Sequence, residues 1–118
     1  MPGRGKRASF GFGPDRRLSR RIDFERLLTQ GKRRNLAGYT FFLEKRGEGS
    51  PRLGILISRR HAAKATERNG IKRCIREAFR LEQSRLGGID MLIRPPYGER
   101  ASADMLARVR AMLCRIAP

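Results

Sequence analysis

The sequence predicts an α+β domain, a single sheet covered by helices, and three observations lead there. Apolar residues recur with helical period over residues 66–86. Runs rich in aromatic and branched residues flank a glycine- and proline-bearing turn within residues 39–58. The order along the chain is helix, two or three strands, helix, strand, helix. A length of 118 residues suits one compact domain, and a 39% apolar fraction is enough to build its core.

Residues 1–16 read as a flexible basic tail, with Gly3, Gly5, Gly11 and Gly13 among Arg4, Lys6 and Arg7. Phe10 and Phe12 are unusual there; folding back onto the domain is favoured over stacking on bases. Residues 17–118 form the domain. Within 18–29, Leu18, Ile22, Phe24, Leu27 and Leu28 lie amid Arg20, Arg21, Glu25 and Arg26, the pattern of a short amphipathic helix with Ser19 as its cap and Gly31 at its end. Residues 31–38, carrying Lys32, Arg33 and Arg34, read as a basic connection.

Residues 39–45 and 52–58 read as the two strands of an antiparallel hairpin, joined by a loop containing Gly47, Gly49 and Pro51. In the first strand Tyr39, Phe41 and Leu43 share one face, while Phe42 stands between Thr40 and Glu44 on the other. An apolar ring among polar neighbours either packs under a helix or is free to stack, and the alternation leaves both open. Ile71, Cys74, Ile75, Ala78 and Phe79 then mark the buried stripe of a long helix, with Arg68, Lys72, Arg73, Arg76 and Arg80 around the rest of it and Gly87 and Gly88 stopping it. Residues 89–94 form a short buried strand ended by Pro95 and Pro96. A last helix over 102–116 buries Met105, Leu106, Val109, Met112, Leu113 and Ile116.

Chemistry by side chains has little to work with. His61 is the only histidine and sits beside Arg59 and Arg60, where a solvated ring is expected. The acids are scattered singly, with no two spaced to hold Mg²⁺, and neither a phosphate-binding glycine loop nor zinc spacing is present. Cys74 and Cys114 both fall on apolar helical stripes and read as reduced core thiols. No stretch approaches the roughly 18 apolar residues of a membrane span, and residues 1–13 lack the apolar core of a secretory signal, so a cytoplasmic location is expected.

Charge points the other way. Lys and Arg number 28 against 11 Asp and Glu, a net +17, and basic runs fall at 16–21, 32–34 and 59–80. Such a surface neutralises phosphates and releases their counterions, so a nucleic acid is preferred to a membrane surface or an acidic protein. Composition does not separate RNA from DNA, although no partner-helix spacing supports insertion of the 68–80 helix into a DNA groove. A self-sufficient nuclease finds no residues to support it.

The segment from Glu67 to Arg80, containing Arg68-Asn69-Gly70-Ile71-Lys72-Arg73 and Arg76, resembles the signature helix of the bacterial ribonuclease P protein subunit, whose pattern is Arg-Asn-Arg, an apolar residue, Lys-Arg, two further residues and Arg. Arg17-Leu18, Asp23-Phe24 and Gly31 are similar to that family's first helix and its end. Leu53-Gly54 through Ser58-Arg59-Arg60 is similar to its strand leading to a basic pair, so the likeness spans residues 17–94. It implies a four-stranded sheet with three helices and a left-handed β-α-β crossover, akin to a ribosomal protein domain. It also implies a cofactor for a catalytic RNA that removes the 5′ leader from precursor tRNA, one protein per RNA, with no obligate protein oligomer and no membrane. In that family the RNA holds the Mg²⁺ ions and performs the cleavage, and the protein alone is inactive. Carried over, Arg59, Arg60, Arg68, Asn69, Lys72, Arg73 and Arg76 contact the catalytic RNA, and Phe24, Leu28 and Phe42 line the leader cleft. Two positions depart from the pattern: Gly70 replaces the second Arg of the signature, and Leu28 stands where relatives carry a second aromatic. A ribosomal-type structural RNA-binding protein with no part in cleavage is the alternative that shares the charge and topology.

Overall fold

The structure, a computed structural model, describes residues 17, 18 and 20–117. The basic tail 1–16 with Phe10 and Phe12, and the expected cap Ser19, lie outside the described residues. The elements are α1 (Arg21–Gln30), β1 (Lys32–Leu36), β2 (Tyr39–Lys45), β3 (Arg52–Ile55), α2 (Ala65–Leu86), β4 (Ile89–Arg94) and α3 (Ala103–Ile116). Three helices and a four-stranded mixed sheet result, as expected.

The sheet runs β1-β2-β4-β3, antiparallel except for the parallel β3–β4 pair. Residues 31–38, expected as a connection, instead hold a strand and a turn. Lys32 to Leu36 pair with Leu43 to Tyr39 across a two-residue turn, Ala37-Gly38, in which both residues have positive φ (49° and 86°). That is the geometry of a tight hairpin turn, whose twist matches its strands. β1 escapes a pattern search because an edge strand needs few apolar residues and charge there discourages pairing with other chains.

The hairpin expected between residues 39–45 and 52–58 does not form, because β4 lies between β2 and β3. The 46–51 loop crosses over the end of β4, where the Arg46 and Gly47 N–H groups donate to the Gly88 carbonyl. The second strand also stops early: pairing with β4 ends at Ile55, followed by one bond from Leu56 N–H to Ile93 O.

Both faces of the sheet are covered. Tyr39, Phe41, Leu53, Met91 and Ile93 meet Ile71, Ile75, Phe79, Met105, Val109 and Leu113 of α2 and α3 in the larger core. The opposite face sends Phe42 and Leu92 against Leu18 and Leu27, with Phe24 and Leu56 partly buried beside them. The alternation of β2 is therefore as expected, and Phe42 packs under α1. Ser102 caps α3, its hydroxyl accepting from Met105 N–H at 3.0 Å. Of the two free thiols, Cys74 borders the larger core, but Cys114 is exposed, its thiol directed at Glu82 Oε1 rather than into the core.

At the start of β4 the carboxylate of Asp90 is wholly buried and gathers three arginines. Arg52 binds both its oxygens (2.9 and 2.8 Å), Arg26 of α1 binds Oδ2 (2.9 Å), and Arg46 approaches Oδ1 (2.9 Å). Arg26 also reaches Glu44 and Asp23, so one guanidinium ties α1 to the sheet. Burial acts to raise the pKa of Asp90, but the Arg52 hydrogen bonds and the charges of Arg52, Arg46 and Arg26 outweigh it, and the net direction is down. A carboxyl lowered on folding contributes its stability in full above its unfolded pKa and loses it as pH falls through the folded value. Asp90→Asn should therefore cost about 3 kcal/mol at neutral pH, by urea denaturation. The substituted protein should also lose less stability than the wild type as pH falls below about 4; parallel acid curves would exclude Asp90 as the source.

Candidate nucleic-acid interface

The signature helix α2 starts at Ala65 with Lys64 as a cap residue that makes no side-chain cap bond. Arg68 compensates from within the first turn: its Nη1 donates to the carbonyls of Ala62 (3.0 Å) and Ala63 (2.9 Å), fastening the incoming loop to the helix. At four-residue spacing Arg68, Lys72 and Arg76 rise along one flank of α2, the flank toward α1 and β3. Asn69 and Arg73 are exposed.

Between that flank, α1 and β3 lies a groove of about 260 Å³ lined by Arg17, Leu18, Phe24, Leu53, Gly54, Ile55, Lys72 and Arg76. The chain entering α1 forms one wall, because Leu18 N–H donates to Leu53 O (2.8 Å) and Arg17 bridges to Leu53. Phe24 lies across the floor, and it fits there only because residue 54 has no side chain. A Cβ on Gly54 would come within 2.9 Å of Phe24 Cζ and 2.6 Å of Leu92 Cδ2. An isolated glycine in a buried strand signals such a close approach, and this is the sequence clue to the groove that residue-by-residue reasoning missed.

Two of the groove's cations, Lys72 and Arg76, form no ion pair among the described residues. Burial first, and then the charge of Arg17, press the Arg76 pKa downward. No described lining residue is a carboxylate. Among the described acids only Glu48 and Glu67 stand outside an ion pair, and the others are held by Arg21, Arg26, Arg46, Arg52, Arg80, Arg85, Arg108 and Arg110. Among the described residues Arg59, Arg60, Lys72, Arg73 and Arg76 form no ion pair. An array of guanidinium and ammonium groups held this way suits phosphate oxygens.

The remaining expected site residues divide. Phe42 does not line the groove; it is buried in the smaller core with Leu18, Leu27 and Leu92, and Arg33 lies over its ring at 5.9 Å. Leu28 is exposed on α1, one turn beyond Phe24, and does not line the groove. Arg59 and Arg60 are exposed on the turn after β3. His61, expected to be solvated, is buried and closes that turn. Its Nδ1 accepts from Ser58 N–H (3.0 Å), its Nε2 bonds the Pro95 carbonyl (2.9 Å), and its ring meets Tyr97 edge-on at 4.6 Å. Since a carbonyl only accepts, Nε2 carries the proton and the ring is a neutral bridge between two loops.

An α+β sheet with helices on both faces, and one acid-free helix flank beside a cleft, define a small basic protein built to hold a polyanion. The sequence model described as Ribonuclease P matches residues 12–117. The ribonuclease P protein components of Nitrosococcus oceani and Methylococcus capsulatus are 35% and 36% identical to it, covering 82% and 90% of this chain and 83% and 81% of theirs. The RNase P protein from Thermotoga maritima superposes with a TM-score of 0.68 at 28% identity, over 86% of this chain and 94% of that one. The Staphylococcus aureus RNase P protein, at 24% identity, shares the fold with a TM-score of 0.70 over 86% and 91%. The chain belongs to the ribonuclease P protein family and is a protein component of ribonuclease P, a tRNA-processing enzyme.

Gly54→Ala should cost about 1–3 kcal/mol through overpacking and should swing Phe24 off the floor. Denaturation together with the ring-proton NMR shifts of Phe24 would show both, and unchanged shifts would mean that the groove tolerates the methyl group.

Proposed function

We propose that the chain acts as the RNA-binding subunit of a ribonucleoprotein in which a catalytic RNA cleaves the 5′ leader from precursor tRNA, one protein serving one RNA. One observation carries this reading: a groove whose apolar floor of Phe24 is walled by Leu18, Arg17, Lys72 and Arg76, with no carboxylate among its described lining residues. A single strand presents alternating phosphates and π-faces, and such a groove answers both, with base stacking on an aromatic ring contributing about 1–3 kcal/mol per base. In this reading Phe24 is the ring that meets the leader, and Phe42 belongs to the small core against which Phe24 packs. Lys72, Arg73, Arg76, Asn69 and the Arg59-Arg60 turn face the catalytic RNA, while Arg68 fixes the loop that presents the pair.

Mg²⁺ takes oxygen ligands, largely carboxylates when a protein holds it. The groove offers cations instead, and among the described residues no cluster of His, Cys, Asp or Glu could hold an ion. In this reading the ion sits with the RNA, whose phosphates this protein's charge helps to bring together. No helix among the described residues is long and apolar enough to cross a membrane.

The decisive experiment cleaves a 5′-extended precursor tRNA at low Mg²⁺ with this protein, with a bacterial ribonuclease P RNA, and with both. Cleavage confined to the mixture, or far faster in it, is the expected result; RNA binding without stimulation would favour a purely structural RNA-binding role. Arg76→Ala should flatten the slope of log affinity for that RNA against log salt by about one unit. Phe24→Leu, which keeps the bulk and removes the ring, should weaken holoenzyme binding of precursor tRNA by about 1–3 kcal/mol and leave mature tRNA unchanged. Equal losses on both substrates would make the ring structural.

A further inference from the structure

Gly70 replaces a cation of the signature and leaves a full turn of α2 bare on the flank facing the β4–α3 loop. Two shallow depressions meet at this gap. One, of about 430 Å³, is lined by Gly70 with Thr66, Glu67, Gly98, Arg100 and Ala101; the other, of about 420 Å³, has Arg73, Cys74, Ser102 and Leu106 beside the same Gly70 and Ala101. The loop approaches the helix closely here, since a Cβ on Gly70 would sit 3.5 Å from the Cβ of Ala101, an ordinary contact. Residue 100 is the next along the chain, ~3.8 Å away between Cα atoms. Gly70 and Arg100 line one depression, from the helix side and from the loop side.

The charges around this space single out Arg100. Glu99 is occupied by Arg108 and by the Tyr39 hydroxyl, Asp104 by Arg108, and Glu77 by Arg80. Arg100 itself is exposed and makes no ion pair among the described residues, although Glu67 lines the same depression. Each of the two depressions that meet at Gly70 thus holds one exposed arginine, Arg100 of the loop in the first and Arg73 of the helix in the second.

We propose that Arg100, from the β4–α3 loop, is an RNA-contacting residue that supplies across the gap the positive charge which residue 70 does not, so that a phosphate of the catalytic RNA is held between Arg100 and Arg73. The inference rests on the function proposed above. It makes the cationic surface of α2 two-sided: Arg76, Lys72 and Arg17 on the groove flank, Arg73 and Arg100 on the other.

The test is a double-mutant cycle with full-length protein and a bacterial ribonuclease P RNA transcript, reading affinity across salt. Arg100→Ala should remove one phosphate contact, so its deficit relative to wild type should shrink about 3.5-fold between roughly 50 and 200 mM salt. Gly70→Arg, whose Cβ would make only an ordinary contact with Ala101, should restore the affinity and slope of the Arg100→Ala protein while adding little to wild type. An Arg100→Ala protein that binds as wild type, or a Gly70→Arg gain equal in both backgrounds, would overturn the role of Arg100 and leave the broader function standing. Failure of the wild-type protein to bind the transcript would overturn both. Circular dichroism melts of each variant establish that folding is unchanged, as exposure of residue 100 leads one to expect.

Discussion

The buried carboxylate of Asp90 is the fixed point of this molecule. It sits on β4, next to the strands that carry Glu44 and Arg52, and binds arginines from α1, from the loop after β2 and from β3. A buried carboxylate with three cationic partners has its lone pairs satisfied, the condition under which a buried charge is tolerated. Its geometric effect is to clamp α1 to one end of the sheet through Arg26. The other end of that helix region, with Leu18 and Phe24, is left as the wall and floor of a groove.

That clamp also segregates charge. Asp23, Glu44 and Asp90 are drawn into one cluster, while Glu99 and Asp104 are drawn to Arg108 and Glu82 to Arg110 and Arg85. With the acids spent on holding elements together, the basic flank of α2 keeps its field. Repulsion between neighbouring cations such as Arg17 and Arg76 is the cost, and an arriving polyanion relieves it. The same residues that weaken the free domain thereby favour the complex, an electrostatic steering that salt diminishes.

Much of this was legible from the residues, and the rest failed for identifiable physical reasons. α2 and α3 declared themselves by period, and β2 by alternation, because burial on one side imposes a repeat. β1 did not, since Lys32 to Asn35 on an edge bury almost nothing, and Ala37-Gly38 lacks the Asn-Gly signature of its turn. Strand order was invisible: adjacency in sequence suggested that β2 pairs with β3, whereas the partner of each is β4, more than thirty residues beyond β3. His61 looked solvated because its neighbours are arginines; its partners are backbone groups, one of them in a loop 34 residues away. Phe42 was correctly marked as anomalous, yet only the position of α1 decides that its ring is covered while that of Phe24 lines the groove.

The central place of β4 has a kinetic side. The β1–β2 hairpin is local, but β3, apart from the contact of Arg17 and Leu18 with Leu53, has no strand partner until a strand made after the 22-residue helix arrives and slides between two others. Such non-local pairing pays loop-closure entropy before any contact rewards it, which makes insertion of β4 intrinsically slower than closure of the β1–β2 hairpin. Until that moment the edges of β2 and β3 are open, and α1 has neither Asp90 to grip nor Leu92 to cover. The groove is therefore not complete before β4 is in place, and a chain short of that point offers RNA the charge of its helix without the finished cleft.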